Sequence, residues 1–162
     1  ASLILTARNE ARLKEIAAIL PNEAEVLPLD ITDLNAVRKS AKMLKNVDGF
    51  VFCAGEYWPM PAQHWDVEKL KSMIDVNLIG ALHTLDVILP IFMEKNSGHL
   101  VFAGSLVGYR GLPGALGYGA FAFDDCVYEA ITMSGQQWSR FGSVGCRRRQ
   151  SWDFKHPSNV RR

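Results

Sequence analysis

The sequence predicts an α/β protein built on an incomplete, doubly wound parallel sheet with helices on both faces. Four short segments are almost uniformly apolar, as strands covered on both faces are. Segments with helical periodicity separate them, and this alternation is typical of parallel strands joined by crossover helices. Apolar residues make up 48% and charged residues 22% of the 162 residues, which is ordinary for a globular domain.

The first two strands are predicted over residues 2–7 and 24–29, where short apolar runs occur. Asn9 follows the first strand and is a good N-cap for a helix. Apolar residues then recur at helical spacing from Leu13 to Leu20, and Pro21 ends this helix.

Asp33 is the predicted N-cap of the next helix, whose apolar face is Leu34, Val37, Ala41 and Leu44. A third strand is predicted over residues 50–54. A long helical pattern follows over residues 67–94, and Pro90 should kink it or end it. The fourth strand is predicted over residues 99–103.

The composition changes abruptly after residue 120. Residues 1–120 contain 17 leucines and residues 121–162 contain none. The first segment has seven Lys and four Arg, whereas the second has one Lys and six Arg. A segment so poor in branched apolar residues buries little surface. We therefore divide the chain into residues 1–120 and an atypical, poorly packed tail, 121–162, and we predict that a shifted reading frame encodes the tail.

Charge and cysteine content exclude several function classes. With 18 Lys plus Arg and 17 Asp plus Glu, the net charge is +1, which does not favour nucleic acid as a partner. The three cysteines form no Cys-x-x-Cys pair, and the four histidines share no ligand spacing, so we expect no metal site. We also expect no apolar run as long as a membrane span, no membrane partner, and a reducing, cytoplasmic location.

Ligands of parallel sheets bind at the carboxyl ends of the strands, so residues that follow the strands are candidate site residues. Here they are Arg8, Asp30, the run Cys53-Ala54-Gly55, and Ser105. Tyr118 lies thirteen residues after Ser105, beyond a glycine-rich loop, and Asn77 lies within the long helix.

Six pieces of the sequence, in their order and spacing, resemble the short-chain dehydrogenase/reductase family. They are Ala7-Arg8-Asn9, Asp30-Ile31-Thr32-Asp33, Cys53-Ala54-Gly55, Val76-Asn77-Leu78-Ile79-Gly80, the strand ending in Ser105, and Tyr118-Gly119-Ala120. The resemblance covers residues 1–120. It implies a partial Rossmann-like NAD(P)-binding domain from an oxidoreductase that interconverts a carbonyl and a secondary alcohol.

The resemblance implies three catalytic residues. Tyr118 would protonate the carbonyl oxygen during reduction, Ser105 would hydrogen-bond to that oxygen, and Asn77 would hold a water in the proton relay. A free phenol has a pKa of ~10, so a neighbouring cation is needed to stabilise the phenolate near neutral pH. The family places a lysine four residues after the tyrosine, one helical turn along.

The sequence departs from the family pattern at three places. Ala122 stands where the family has that lysine. The family opens with a strand and a glycine-rich loop that binds the cofactor pyrophosphate, whereas this chain begins at what corresponds to the second strand. Cys53 stands where the family usually has Asn. We therefore expect a fragment that is catalytically incomplete.

The implied cofactor is NADP, with NAD as the alternative, because Arg8 follows the first strand and a guanidinium suits a 2′-phosphate. Asp30 would contact the adenine edge, and Ala54, Gly55 and Tyr118 would complete the cofactor contacts. The residues that would line an apolar substrate pocket are Tyr57, Trp58, Met60, Leu106, Val107 and Tyr109.

Simpler structural interpretations stay open for each of these residues. Ser105 could cap a strand end, Asp30 could form a turn, Asn77 could bond locally within its helix, and Arg8 could be a solvated charge. A second hypothesis for the whole chain is a non-catalytic Rossmann-like binding or scaffold protein. The expected partners are a small carbonyl or alcohol substrate and, because relatives are often homo-oligomers, a second copy of the chain.

Overall fold

A computed structural model describes residues 1–105, Tyr118, and residues 138–141 and 149–154. The first half alternates strands and helices as expected: β1 (Leu3–Ala7), α1 (Glu10–Ile19), β2 (Ala24–Pro28), α2 (Leu34–Ser40) and β3 (Gly49–Phe52). A 3₁₀ turn (Ala62–His64) leads to α3 (Val67–Ile74), a π-helical segment (Asp75–Ile79), α4 (Gly80–Lys95) and β4 (His99–Ala103). The strands β5 (Trp138–Phe141) and β6 (Arg149–Phe154) follow.

The strands form two sheets. In one, β1 pairs in parallel with β2, with Leu5 opposite Val26. In the other the order is β3-β4-β6-β5, where β3 and β4 run parallel and β6 joins β4 in antiparallel register. The parallel pairs confirm the predicted fold class, whereas the antiparallel β6–β4 pairing was not predicted from the sequence.

Local sequence signals explain how the helices begin. Asn9 accepts a hydrogen bond from the backbone N–H of Arg12 at 3.0 Å, and Asp33 accepts from the N–H groups that follow it. Both predicted N-caps are therefore confirmed. The helix α3 begins in the same way at Asp66, whose carboxylate accepts from the N–H groups of Glu68 and Lys69.

The main core lies between α4 and the β3–β4 pair. Phe92 and Ile88 of α4 are almost completely buried, and they belong to one cluster with Phe52, Leu100 and Phe102 of the strands. Ring centroids of Phe52 and Phe102 lie 5.7 Å apart. These strands are therefore fixed from one face by a single long helix.

Two features of the long helix differ from the prediction. The helix continues through Pro90 and ends at Asn96, which adopts a left-handed φ of 52°. A proline costs about 3 kcal/mol inside a helix. Burial of Phe92, which is 0% exposed, is a favourable contribution of comparable size.

The continuous helical stretch Val67–Lys95 is long and apolar enough, by length and composition, to cross a membrane. This is contrary to the expectation that no apolar run is as long as a membrane span. The inward side chains of this stretch nevertheless pack in the core.

The helix α2 is shorter than its predicted apolar face. Ala41 is the C-cap of α2, and Leu44 lies in the turns that follow. Within the tail, whose predicted poor packing stays a prediction, the structure describes only β5 and β6. The predicted pocket residues Leu106, Val107 and Tyr109, and also Ala122, lie outside the described residues.

Candidate active site

The predicted site residues lie beyond the carboxyl ends of the parallel strands. Arg8 directly follows β1 and Asp30 lies two residues after β2, at one edge of the first sheet. In the second sheet, the run from Cys53 to Gly55 follows β3, and Ser105 lies two residues after β4. Arg8, Gly55 and Ser105 are exposed, so they are accessible to a ligand.

Asp30 forms a tight turn with Thr32. Its Oδ1 accepts hydrogen bonds from the backbone N–H of Thr32 at 2.9 Å and from the Thr32 hydroxyl at 2.7 Å. These two bonds, with a smaller contribution from the Arg8 charge, lower the pKa of Asp30 below its ordinary range. Asp30 therefore stays ionised at neutral pH and presents a fixed carboxylate beside a guanidinium.

The Asp30 turn is joined to the long helix at Gly80. A methyl group on Gly80 would lie 2.7 Å from both Cδ1 and Cγ1 of Ile31. The Ile31 carbonyl also lies 2.9 Å from Nδ1 of His83. Two pieces of the sequence pattern, the Asp30–Asp33 run and the Asn77–Gly80 run, therefore meet at this contact.

Asn77 clamps the loop that follows β3. Its Oδ1 accepts from the backbone N–H of Glu56 at 2.7 Å, and its Nδ2 donates to the Glu56 carbonyl at 2.9 Å. Asn77 is buried and lies in the π-helical segment, where the N–H of Gly80 bonds to the Asp75 carbonyl. Such segments often occur at functional sites. Each amide atom retains one further hydrogen-bonding position, so the water-holding role of Asn77 stays a prediction.

Tyr118 packs on the same loop. Its ring centroid lies 4.9 Å from that of Tyr57 in a T-shaped arrangement. It also contacts an apolar cluster built on the buried residues Met60 and Met73. The structure thus brings Tyr118 and Asn77 together through one short loop, with Tyr57 next to Glu56 in sequence.

The site residues form two groups. Arg8 and Asp30 belong to the first sheet, whereas Asn77, Gly55 and Tyr118 surround the end of β3. Among the described residues, no hydrogen bond or ring contact joins the first group to the second. In the part of the chain that the structure describes, no group of three or more His, Cys, Asp or Glu side chains could hold a metal ion.

The residues present fit the adenosine half of a dinucleotide. Asp30 offers a carboxylate held on Oδ1 by Thr32, and Arg8 offers an exposed guanidinium beside it. At Gly55 the surface is open: a methyl group there would meet only Asn77 Oδ1, at an ordinary 3.7 Å. These positions could therefore accept an anionic, hydrogen-bonding ligand along the strand ends.

The sequence analysis did not identify Glu56 and Ser72 as residues of the site. The Ser72 hydroxyl donates a short hydrogen bond to the Glu56 carboxylate, which ties the loop to α3. No local motif marks this pair, because the two residues are sixteen positions apart and both types are common on surfaces. The available signal in the sequence was the apolar Met60 in an otherwise polar and aromatic loop, which indicates that the loop packs against the protein.

Comparisons with known proteins identify the family of the chain. A family model of short chain dehydrogenases matches residues 1–122, which ends close to the change in composition. An uncharacterized oxidoreductase of Staphylococcus epidermidis is 34% identical over 138 residues, which are 83% of this chain and 59% of that protein. The chain therefore spans little more than half the length of this curated relative.

Solved structures show the same fold. The crystal structure of serine dehydrogenase from Escherichia coli superposes with a TM-score of 0.75 at 29% identity, covering 80% of this chain and 62% of that chain. A closed form of serine dehydrogenase complexed with NADP+ gives the same score and identity and is covered to 55%. A short-chain dehydrogenase from Streptomyces avermitilis gives a TM-score of 0.74 at 25% identity, with 82% of this chain and 51% of that chain covered.

Proposed function

The chain belongs to the short chain dehydrogenase family, and we propose that its site is built for NADP-dependent interconversion of a carbonyl group and a secondary alcohol. One observation carries this proposal: the Tyr118 ring is held against the loop that Asn77 clamps at the carboxyl end of β3. A phenol fixed beside the strand ends is suited to exchange a proton with a substrate oxygen.

We assign the proton to the Tyr118 hydroxyl. In reduction, that hydroxyl donates its proton to the carbonyl oxygen as the oxygen becomes an alcohol. Ser105, exposed beyond β4, donates a hydrogen bond to the same oxygen and so favours the developing negative charge. Asn77 fixes the loop through Glu56 and, in this proposal, also holds a relay water.

The cofactor, when bound, would supply the hydride as NADPH or accept it as NADP+. Arg8 is proposed to bind its 2′-phosphate, Asp30 its adenine edge, and Ala54 and Gly55 the ribose region beyond β3. The NADP-complexed serine dehydrogenase supports a nicotinamide cofactor, and the position of the exposed Arg8 directly after β1 supports NADP over NAD. Replacement of Arg8 by Ala should weaken binding of 2′,5′-ADP, which carries the 2′-phosphate, and leave binding of 5′-AMP unchanged.

The 162-residue polypeptide itself should show no measurable carbonyl reduction with NADPH. Ala122 provides no cation to stabilise a Tyr118 phenolate, and general acid catalysis is typically worth ~10²–10⁴ in rate. The lysine at this position would also orient the cofactor, and orientation can carry several kcal/mol of the barrier. Steady turnover by this polypeptide that Tyr118→Phe abolishes would show that another group supplies the charge.

A chimera tests the proposed catalytic residues in a protein that has the lysine absent at Ala122. Residues 1–120 would replace the equivalent segment of the Staphylococcus epidermidis oxidoreductase, which supplies the rest of the fold. We expect NADPH consumption with apolar ketones, loss of turnover in Tyr118→Phe, and full turnover in the control Trp65→Phe, which changes an exposed ring outside the predicted site. A chimera that binds NADPH but keeps its turnover in Tyr118→Phe would refute the assignment of Tyr118.

A second candidate function is a non-catalytic binding or scaffold protein. Ala122 favours it, because a site without the lysine can keep the fold and lose the reaction. It predicts that the chimera with a lysine at residue 122 binds NADPH without turnover.

We also propose a cytoplasmic location for the protein. In addition, we propose that the chain self-associates through α4. The exposed apolar side chains of Leu82 and Met93 on that helix support the self-association. Light scattering tests the self-association.

A further inference from the structure

The loop that follows β3 is anchored on both sides of Tyr57. On one side, Glu56 is held through three of its groups: its backbone N–H and C=O bond to Asn77, and its carboxylate accepts from Ser72. A residue with its amide, carbonyl and side chain all bonded has little conformational freedom. Tyr57 therefore begins from a fixed backbone position.

On the other side, the loop is held against α3. The backbone N–H of Trp58 lies 3.4 Å from the sulfur of Met73, which is completely buried. Met60 is 4% exposed and packs against the same residue. Since the backbone is fixed before and after Tyr57, its ring direction depends on few remaining torsions.

This fixed ring contacts Tyr118. The centroids are 4.9 Å apart with an interplanar angle of 61°, which is a favoured geometry for aromatic pairs. The Tyr118 ring is thus restrained by Tyr57 on one side and by the methionine cluster on another. A 49% exposed fraction leaves much of the Tyr57 surface open to solvent beside the Tyr118 phenol.

We propose that Tyr57 is a positioning and specificity-determining residue, which orients the Tyr118 phenol and packs against a flat, apolar substituent of the carbonyl substrate. This proposal rests on the proposed function of Tyr118. Aromatic side chains supply a large apolar surface at low entropic cost, and they favour stacked or edge-on contact with other flat rings. The substrate class is therefore an aryl ketone or aryl aldehyde rather than a small polar carbonyl compound.

The experiment uses the full 162-residue chain and needs no turnover. Tyrosine is labelled with ¹³C on the ring, and each signal is assigned by single Tyr→Phe variants. Acetophenone is titrated as the probe, with acetone as the small-ketone comparison. Tyr57→Leu removes the ring, Tyr57→Phe keeps it, and Trp65→Leu removes an almost equally exposed ring that follows the 3₁₀ turn, outside this loop.

We expect Tyr57→Leu to change the Tyr118 signal, to lower the population of the packed Tyr118 ring by about two- to tenfold, and to abolish the shifts caused by acetophenone. Tyr57→Phe and Trp65→Leu should leave all three unchanged. A Tyr118 signal that is insensitive to Tyr57→Leu, or equal shifts with acetone and acetophenone, would overturn the proposal. If Tyr118→Phe still binds acetophenone, the Tyr57 surface binds the ketone without the Tyr118 hydroxyl. Failure of the proposed proton transfer would be seen in a different experiment, as turnover of the chimera that persists in Tyr118→Phe.

Discussion

Replacement of Gly80 by alanine should change the free energy of unfolding in a direction that depends on Ile31. Gly80 has an ordinary helical φ of −60°, so its backbone does not require glycine. Alanine in a helix is favoured over glycine by about 1 kcal/mol, so helix propensity alone predicts stabilisation. The Cβ position, however, lies 2.7 Å from two carbons of Ile31 and 3.3 Å from the Asp75 carbonyl.

The clash should outweigh the gain in helix propensity. Carbon atoms pack at roughly 3.5–4.0 Å, so a Cβ at 2.7 Å from two carbons overlaps both by close to an ångström. Overpacking of this kind typically costs about 1–3 kcal/mol. We therefore expect Gly80→Ala to lower the free energy of unfolding by up to about 2 kcal/mol after the propensity gain is subtracted.

A double-mutant cycle measured by urea denaturation tests this reasoning. Ile31→Ala removes both overlapping carbons, Cδ1 and Cγ1, and leaves the space open. In that background Gly80→Ala should become neutral or stabilising by up to about 1 kcal/mol. Equal effects of Gly80→Ala in both backgrounds would refute the argument that Ile31 selects glycine at this position.

Three further predictions follow from the same contacts. Asn77→Ala should destabilise the fold by about 1–3 kcal/mol, because two groups of the loop lose their partner, and it should speed proteolysis of residues 55–60 relative to the unsubstituted chain. The lowered pKa of Asp30 stabilises the folded state above its ordinary pKa, and this stability is lost as pH falls through the lower folded value, below about pH 4. Thr32→Val should raise the Asp30 pKa in an NMR titration. Amide exchange should be faster over residues 149–154 than over 49–52, because the tail has few apolar residues to bury.

Elements with local signals could be predicted from the sequence. β4 occupies the predicted residues 99–103, and the caps at Asn9 and Asp33 bond as expected. Capping depends on residues within one turn, so the sequence contains the whole signal. The π-helical segment Asp75–Ile79 could not be predicted, because its hydrogen bonds shift by one residue without any change in apolar periodicity. The continuation of α4 past Pro90 depends on burial of Phe92, which is a tertiary effect.

The sequence supplied candidate site residues, which stay predictions, but it could not supply the contacts between them. The family resemblance pointed to Asn77 and Tyr118, but neither periodicity nor motif spacing indicates that both contact one loop. That link runs through Glu56 and Tyr57, which are adjacent in sequence and face different partners, the amide of Asn77 and the ring of Tyr118. Because Glu56 and Tyr57 connect the two residues, a substitution at Asn77 should change the position of the Tyr118 ring through this loop. Asn77→Ala should therefore alter the Tyr118 signal in the labelled chain as Tyr57→Leu does, whereas Thr32→Val, in the separate Asp30 turn, should leave that signal unchanged.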